Sequence, residues 1–271
     1  MHDIEEQKNE DAPLDEQAHE ETSSSPHVPT MPHESRKGIA FVQADILNKR
    51  AVVLSSLVHH HLMYHHYQSA IDAARRLVRL CTYARSLRHL RDSTDSAHTH
   101  LVSPAWLVLM RALLYTGQLD GAERVLQLAE RDAALEETSS ASARIAIDLH
   151  VHRGLLLAMR GDMEGATDEF EAVNLLVEDD SRHGHAQAQI AAANNVAVCL
   201  VHMGLVGDAI ERLEEELRVH TDLALDEGLI FNLCTFYELR FPQNCTEKKK
   251  VLAKLSGRLA RHGFNAKSIT L

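Results

Sequence analysis

The sequence predicts an all-α fold, an α-solenoid of about five helical hairpins, and three observations support that prediction. Alanine and leucine are frequent, whereas aromatic residues make up only 4% of the chain, too few for the strands of a β-sandwich. Apolar residues recur at the spacing of amphipathic helices, and no stretch alternates strictly as a strand would. Only Pro104 and Pro242 interrupt the body of the chain, so long helices can form between them.

Charge and composition divide the chain into three parts. Residues 1–37 are predicted to form a disordered acidic tail, residues 38–265 the helical-repeat domain and residues 266–271 a short C-terminal tail. Ten acidic residues and one lysine between Met1 and Ser35 supply −9 of the net charge of −11, and such a segment buries too little apolar surface to offset its ordering entropy. The body is close to neutral, so it indicates neither a nucleic-acid groove nor an anionic-membrane surface.

No targeting or membrane signal is evident in the chain. The acidic N-terminus is neither a secretory signal nor a transit peptide, and no apolar run reaches the length of about 18 residues that a membrane helix needs. The scattered Cys81, Cys199, Cys234 and Cys245 are predicted to be buried thiols of a reducing compartment rather than disulfides or metal ligands. We expect a cytoplasmic protein without cofactor, resident metal or direct membrane insertion.

Four helical hairpins follow one another in the repeat domain, each with apolar positions on two helices and a turn between them. The residues that mark them are Leu54, Leu57, Val58, Ala70, Ala74 and Leu77 in the first; Trp106, Leu109, Met110, Leu113, Gly117, Leu119, Ala122, Leu126 and Ala129 in the second; Gly154, Leu157, Gly161, Met163, Ala166, Phe170 and Val173 in the third; and Val196, Ala197, Leu200, Gly204, Val206, Ala209 and Leu213 in the fourth.

A turn residue followed five positions later by alanine recurs in every hairpin, and in three of the four the turn residue is glycine. Glycine tolerates a turn conformation that a side chain would penalise, and alanine lets two helices approach closely. This pattern resembles the tetratricopeptide repeat, most closely in the hairpin of Trp106. The spacing from Gly117 to Gly161 is 44 residues and from Gly161 to Gly204 it is 43, so longer helices or loops, such as 92–100 and 179–185, must extend the usual unit of about 34 residues.

A fifth hairpin is predicted to close the array. Its first helix, over 226–239, places Leu229, Ile230, Leu233 and Tyr237 on one face. Its second helix, over 246–261, is rich in lysine and arginine, which we interpret as the solvated face of a terminal repeat rather than a phosphate or acidic-partner site. The residues predicted to define the repeats structurally are Trp106, Gly117, Ala122, Gly154, Gly161, Ala166, Gly204, Ala209 and Phe231.

Tests for reactive chemistry favour a protein that is not an enzyme. The sequence contains no phosphate-binding GxxxxGK[ST] loop, no dinucleotide-binding GxGxxG after a strand and no GxSxG elbow. Within the histidine-rich stretch 59–66, His61 and His65 lie one helical turn apart, as two zinc ligands can. Because no carboxylate of the HExxH kind or nearby cysteine completes a site, these histidines are interpreted as surface and partly buried imidazoles.

Amides stand out within the apolar helices, where they are locally unfavourable. Asn194 and Asn195 lie among alanine and valine residues, and Asn232 lies within a Phe-Asn-Leu triplet. One interpretation is that the amides bind the backbone of a partner peptide, and the other is that they form buried hydrogen bonds with a loop or neighbouring helix. Together with Tyr237 they are the candidate partner-binding residues.

An ordered set of residues runs through the last two hairpins to the C-terminus. It comprises Asn194, Asn195, Cys199, Leu200, Gly204, Phe231, Asn232, Leu233, Tyr237, Glu238, Leu239, Lys248, Lys249, Phe264 and Asn265. In order and spacing this set resembles the C-terminal end of a known family, subunit 12 of the transport protein particle (TRAPP) complex. The hairpin of Trp106 is similar to an earlier hairpin of that family.

The resemblance implies a non-catalytic scaffold or adaptor subunit of a complex that tethers vesicles and promotes nucleotide exchange on Rab-type GTPases, in ER–Golgi traffic or autophagy. Its partners would be other TRAPP subunits, the large peripheral ones, with a Rab-type GTPase reached only through the complex. The protein would then be cytoplasmic and peripheral to Golgi or ER–Golgi intermediate membranes. The alternative is a stand-alone tetratricopeptide adaptor that binds a partner peptide on its concave face.

Overall fold

The structure, a computed structural model, describes residues 33–89, 102–135, 139–179, 186–219, 227–243, 246 and 249–250. Within those residues the chain forms nine α-helices and no strand, which confirms the all-α prediction. The helices are α1 (His33–Met63), α2 (Tyr67–His89), α3 (Val102–Tyr115), α4 (Leu119–Ala134), α5 (Ser139–Arg160), α6 (Met163–Asp179), α7 (Ala186–His202), α8 (Val206–Val219) and α9 (Glu227–Arg240).

Both ends of the chain fall largely outside the described residues. Of the predicted acidic tail only residues 33–37 are described, and they belong to α1. The second helix of the fifth hairpin is described only at 246 and 249–250, which are helical. The chain divides into two units, Met1–Val42 and Gln43–Leu271, and the three apolar cores lie in the second.

Successive helices pack against one another from α2 to α9, and the first helices of neighbouring hairpins also touch, as α3 does with α5 and α7 with α9. One apolar core joins α1 to α4 with part of α5, a second joins α5, α6 and α7, and a third joins α7, α8 and α9. The alanines predicted to permit close helix approach are all fully buried, at 0% exposure: Ala70, Ala122, Ala166 and Ala209. The packing is therefore that of a helical-hairpin array.

The four hairpin turns share one backbone geometry. Gly117, Gly161 and Gly204 have φ of 68°, 87° and 83°, the left-handed region that favours glycine. His65 takes the same position in the first hairpin, five residues before Ala70, and has φ of 58°. In each turn the residue after the left-handed one donates its N–H to a carbonyl five positions earlier, as Gln118 does to Leu113 at 3.0 Å, which is the Schellman motif.

Longer helices account for part of the lengthened repeat period. Helix α5 has 22 residues and α6 has 17, whereas α3 and α8 have 14 each. Helix α6 continues to Asp179, where the sequence predicted a loop to begin; the rest of that predicted loop and the loop over 92–100 lie outside the described residues.

Two residues predicted to define the repeats have clear structural roles. The Trp106 indole donates to the Asp132 carboxylate at 2.8 Å, and Arg85 of α2 pairs with the other oxygen of that carboxylate at 3.0 Å, so Asp132 links three helices. Gly154 lies against the buried ring of Phe170: a Cβ at this glycine would stand 2.6 Å from the ring. Glycine is therefore required for the close approach of α5 and α6.

Phe231, predicted to help define the repeats structurally, lies outside the packed face of α9. Its side chain is 57% exposed, because the buried face of α9 carries the residues on the other side of the helix. That buried face includes Leu229, Ile230, Leu233 and Tyr237, as predicted. Among the cysteines, Cys81, Cys199 and Cys234 are buried thiols, and Cys245 lies outside the described residues.

Candidate interaction surface

The candidate amides Asn194 and Asn232 bond to each other. The Asn232 Nδ2 donates to the Asn194 Oδ1 at 2.9 Å, which joins α7 to α9, the first helices of two successive hairpins. Both side chains are half-buried. Of the two interpretations of these residues, the contact agrees with the one that gives them hydrogen bonds to a neighbouring helix.

The other two candidate residues differ in their surroundings. Tyr237 is buried and its hydroxyl donates to the Glu214 carboxylate of α8 at 2.8 Å; burial, and then this hydrogen bond, hold the pKa of the phenol well above its usual value. Asn195 is half-buried next to Asn194. The structure thus brings Asn194 and Asn232 together, whereas the Tyr237 hydroxyl bonds to α8. The four residues therefore do not converge on one site.

The histidine-rich turn forms an aromatic cluster rather than a ligand set. The rings of His61 and His66 lie 5.9 Å apart, and the His65 ring nitrogen is 2.7 Å from the Tyr67 hydroxyl. Tyr67 also stacks on Tyr115 of α3, with ring centres 6.3 Å apart. Within the described ranges, no three His, Cys, Asp or Glu side chains are placed to hold a metal ion. None of the helices in those ranges is long and apolar enough to cross a membrane.

A buried histidine connects the first helices α3 and α5. His152 is 2% exposed, and its Nδ1 lies 2.7 Å from the Asp148 carbonyl oxygen. Because a carbonyl can only accept, Nδ1 carries the proton and Nε2 is left to accept from Arg111 at 3.3 Å. Burial, and then the charge of Arg111, lower the pKa of His152 to about 4, so the imidazole is neutral at physiological pH.

Second helices of neighbouring hairpins are separated by a groove whose floor is the first helix between them. In the groove between α4 and α6, which we call the filled groove, Arg153 of α5 reaches both walls. Its guanidinium contacts Glu130 of α4 at 2.6 Å and Glu169 of α6 at 3.0 Å. His150 adds a contact to Glu169 at 2.7 Å. The chain therefore occupies this groove with its own basic side chains.

The next groove, between α6 and α8, is open. It contains a cavity of about 420 Å³ lined by side chains from α6, α7 and α8. Arg212 of α8 approaches Glu171 of α6 at 3.3 Å, and the Asn174 amide donates to the same Glu171 oxygen at 2.5 Å. Within the described structure, Asn174 Oδ1 and Arg212 Nε are buried and have no hydrogen-bond partner.

The two grooves carry different residues at equivalent positions of the repeat. Arg153 and Val196 each stand eight residues before their turn glycines, Gly161 and Gly204, and His150 and Ala193 each stand eleven before. On the walls, Glu169 of α6 is replaced by Arg212 of α8, each eight residues after its turn glycine. Sequence reasoning did not single out these residues, although their register against the turn glycines could have aligned them.

The comparisons with known proteins include a partial similarity in sequence. No family model matches the chain. An 80-residue stretch is 32% identical to "Trafficking protein particle complex subunit 12" of Homo sapiens, covering 30% of this chain and 11% of that protein. The Mus musculus protein of the same name is 31% identical over 80 residues, covering 30% of this chain and 10% of the relative. The matched stretch thus spans about a tenth of the length of these curated relatives.

A solved structure with a similar course of the chain is the crystal structure of BtubC (BKLC) from P. vanneervenii. It has a TM-score of 0.46 at 18% identity and covers 81% of this chain and 93% of its own. A likeness at this level carries no argument about function.

Proposed function

We propose that this chain is a non-catalytic scaffold subunit of a TRAPP-like complex that tethers vesicles and acts as an exchange factor for Rab-type GTPases. The observation that carries the proposal is the 80-residue similarity to subunit 12 of the human complex, at 32% identity. The helical-hairpin array supports it, because stacked hairpins present extended surfaces suited to protein contacts. The absence from the sequence of recognisable catalytic motifs is consistent with a non-catalytic role.

The proposed function implies particular partners and a cellular location. The chain would dock other TRAPP subunits, the large peripheral ones, and would reach a Rab-type GTPase only through the complex. It would be cytoplasmic and peripheral to Golgi or ER–Golgi intermediate membranes, acting in early secretory traffic or autophagy. It would bind no nucleic acid, since the body outside the acidic tail is close to neutral.

Native co-purification tests the proposal. The tagged full chain, isolated from cells at moderate salt, is expected to bring down other TRAPP subunits in near-equal amounts, measured by quantitative mass spectrometry. Recovery of the chain without those subunits would reject the proposal.

A pair of exposed aromatic residues gives matched variants for the same experiment. Phe231 on α9 and Tyr83 on α2 are each 57% exposed, so truncating either should change the free energy of unfolding by no more than about 0.5 kcal/mol. Phe231 lies in the stretch that resembles the TRAPP family, and Phe231→Ala should lower subunit recovery several-fold. Tyr83→Ala should leave it unchanged. Equal recovery with both variants would remove Phe231 from the docking surface.

The stand-alone peptide adaptor is the weaker alternative. It relied on Asn194, Asn195 and Asn232 as ligands of a peptide backbone, but the amides of Asn194 and Asn232 are engaged with each other at 2.9 Å. A bound peptide would have to displace that hydrogen bond before it gained one of its own. No other feature of the described chain favours the adaptor over the scaffold.

A further inference from the structure

We propose that exposed arginines on α2 and α4, the second helices of the first two hairpins, bind an acidic segment of a partner polypeptide that also carries apolar side chains. We call this surface the arginine patch. It consists of Arg76, Arg79, Arg124, Leu128, Arg131 and Leu135. Such binding would be a property of this chain whichever complex it joins, so it goes beyond the proposed scaffold function.

The residues of the patch lie on one side of the array. The residues at its α4 end follow one helix face, at i, i+4, i+7 and i+11: Arg124, Leu128, Arg131 and Leu135. Arg79 and Arg131 each stand 14 residues after the left-handed turn residue of their hairpin, and equivalent positions of stacked repeats face the same way. Arg85 of α2 pairs with Asp132 of α4 at 3.0 Å, so the two helices are neighbours.

The positive charge of the patch is not neutralised by its own helices. The four arginines are exposed and have no ion pair among the described residues. Helix α3 has no acidic residue, and all five acids of α2 and α4 are engaged by other cations. These pairs are Asp72–Arg75, Asp120–Arg160, Glu123–Arg160, Glu130–Arg153 and Asp132–Arg85. The pKa of Glu123 is lowered chiefly by Arg160, at 2.7 Å, and only to a lesser extent by Arg124.

The equivalent positions of α8 show that the repeat can neutralise such an arginine internally. There, the residues 11 and 14 positions after the turn glycine are Glu215 and Arg218, which pair at 2.5 Å. In α2 both positions hold arginine, Arg76 and Arg79, and in α4 the acid is replaced by Leu128. The internal partner is therefore present in α8 and missing from both helices of the patch.

The patch combines these charges with exposed apolar surface. Leu128 is 39% exposed and Leu135 is 76% exposed. Guanidinium groups bind carboxylates through paired hydrogen bonds, while apolar side chains of the same peptide would cover the two leucines. From Arg124 to Leu135 the helix face extends about 17 Å, a length that an extended peptide of about five or six residues spans.

Other anionic partners fit the patch less well. Leucine has no flat ring for the stacking that single-stranded nucleic acids gain on aromatic side chains. A flat anionic membrane would extend across the array, where the position of Arg124 is occupied by Asp168 in α6 and by Glu211 in α8. Both acids would be repelled by anionic lipids, whereas a short peptide contacts α2 and α4 alone.

The experiment uses the isotope-labelled full chain and the probe acetyl-Asp-Glu-Leu-Glu-Asp-Leu-amide. The probe should shift the NMR methyl signals of Leu128 and Leu135 and reach half-saturation below about 1 mM. Its uncharged isostere, acetyl-Asn-Gln-Leu-Gln-Asn-Leu-amide, should bind at least about tenfold more weakly, because it lacks the carboxylates that pair with the guanidiniums. Equal affinity for the two peptides, or no saturable shift of these methyls, would overturn the proposal.

Two further titrations separate the peptide from other polyanions. Oligothymidine and phosphatidylserine vesicles are added at the same concentration of negative charge as the acidic peptide. Both should shift the leucine methyls less than the peptide does. A stronger response to either of them would assign the patch to that polyanion and overturn the proposed peptide ligand.

Charge variants at equivalent positions locate the site. Arg79→Gln combined with Arg131→Gln should weaken binding of the acidic peptide about fivefold or more, because two guanidinium contacts are lost. Arg218→Gln, at the equivalent position of α8, is the matched control and should leave the affinity unchanged. Matching urea midpoints would show that the proteins are folded. Unchanged affinity in the double variant, or an equal loss in the control, would contradict the assignment.

The peptide titration is independent of the co-purification experiment. If the acidic peptide does not bind but TRAPP subunits co-purify with the chain, the inference about the patch fails and the scaffold function stands. If the peptide binds at the patch and no TRAPP subunit co-purifies, the site stands and the proposed complex is wrong.

Discussion

The hairpins α5–α6 and α7–α8 have the same turn geometry and the same buried alanine five residues after the turn glycine. They carry different side chains at the positions that face neighbouring helices. The sequence His152-Arg153-Gly154 of α5 stands at the same distance from its turn glycine as Asn195-Val196-Ala197 of α7. In the first hairpin these residues supply a buried imidazole, a guanidinium that fills the groove and a close approach to Phe170. In the second they supply an amide and two buried apolar side chains.

The difference shows that one repeat geometry can carry different side chains in its grooves. Turn and core positions are set by backbone conformation and helix approach, so they stay the same in both hairpins. Groove positions are free to vary: Arg153 contacts both walls of the filled groove, whereas Arg212 lies beside a cavity in the open groove. Exchanging residues between the two hairpins tests this account.

The largest expected effect belongs to His152. Its pKa is lowered to about 4 in the folded chain from 6.5, so the unfolded state binds more protons between these values. Its contribution to stability is complete above pH 6.5 and is lost as pH falls toward 4. Relative to His152→Asn, which carries the residue found in α7, the wild-type chain should lose about 2–3 kcal/mol of unfolding free energy between pH 7 and pH 4.5.

Urea denaturation of both proteins at the two pH values gives this difference directly. Because other groups titrate in both proteins, their contributions to the pH dependence cancel in the comparison. One such group is Asp148, whose pKa is raised by burial. Parallel loss of stability in the two proteins would show that His152 is not the titrating group.

The next largest effect is expected at Gly154. A Cβ there would stand 2.6 to 2.9 Å from the Phe170 ring, so Gly154→Ala should cost about 2 kcal/mol through overpacking. The equivalent pair in α7–α8 is Ala197 with Leu213. Adding Phe170→Leu should therefore recover at least about 1 kcal/mol in a double-mutant cycle. Strictly additive effects in thermal or urea unfolding would show that the two hairpins do not exchange these residues as a pair.

The smallest of these effects is expected in the grooves. Arg153→Val, which introduces the α7 residue, should cost about 1–2 kcal/mol because Glu130 and Glu169 lose a half-buried partner. Arg212→Val should also cost about 1–2 kcal/mol, because Glu171 and the buried Glu216 both lose a contact with this guanidinium. Urea midpoints at the same pH measure both losses, and an unchanged midpoint in either variant would show that its guanidinium contacts do not stabilise the array.

The turns and core were predictable from sequence because local backbone chemistry determines them. Glycines at positive φ and the alanines five residues later fix the hairpins, and even His65 follows that rule by taking a left-handed conformation. The contact between Asn194 and Asn232 was one of two possibilities left open, since a helical pattern does not show which neighbouring helix lies opposite.

The grooves were not predictable in the same way. Arg153 is a common type of surface residue in sequence, and its role depends on Glu130 and Glu169, which lie 23 and 16 residues away on different helices. Counting from the turn glycines aligns equivalent positions, but it does not show which side chains of other helices lie opposite them. Phe231 is exposed because it lies off the apolar face of α9, a face that the helical spacing did predict.

The most direct test of the scaffold function is the reciprocal purification. The endogenous TRAPP-like complex is isolated through another of its subunits, and the amount of this chain is measured by mass spectrometry against labelled standard peptides. The proposal predicts that this chain is present in near-equal amount to the tagged subunit and remains so after stringent washing. Its absence, or its presence at a few per cent of the tagged subunit, would contradict membership of the complex.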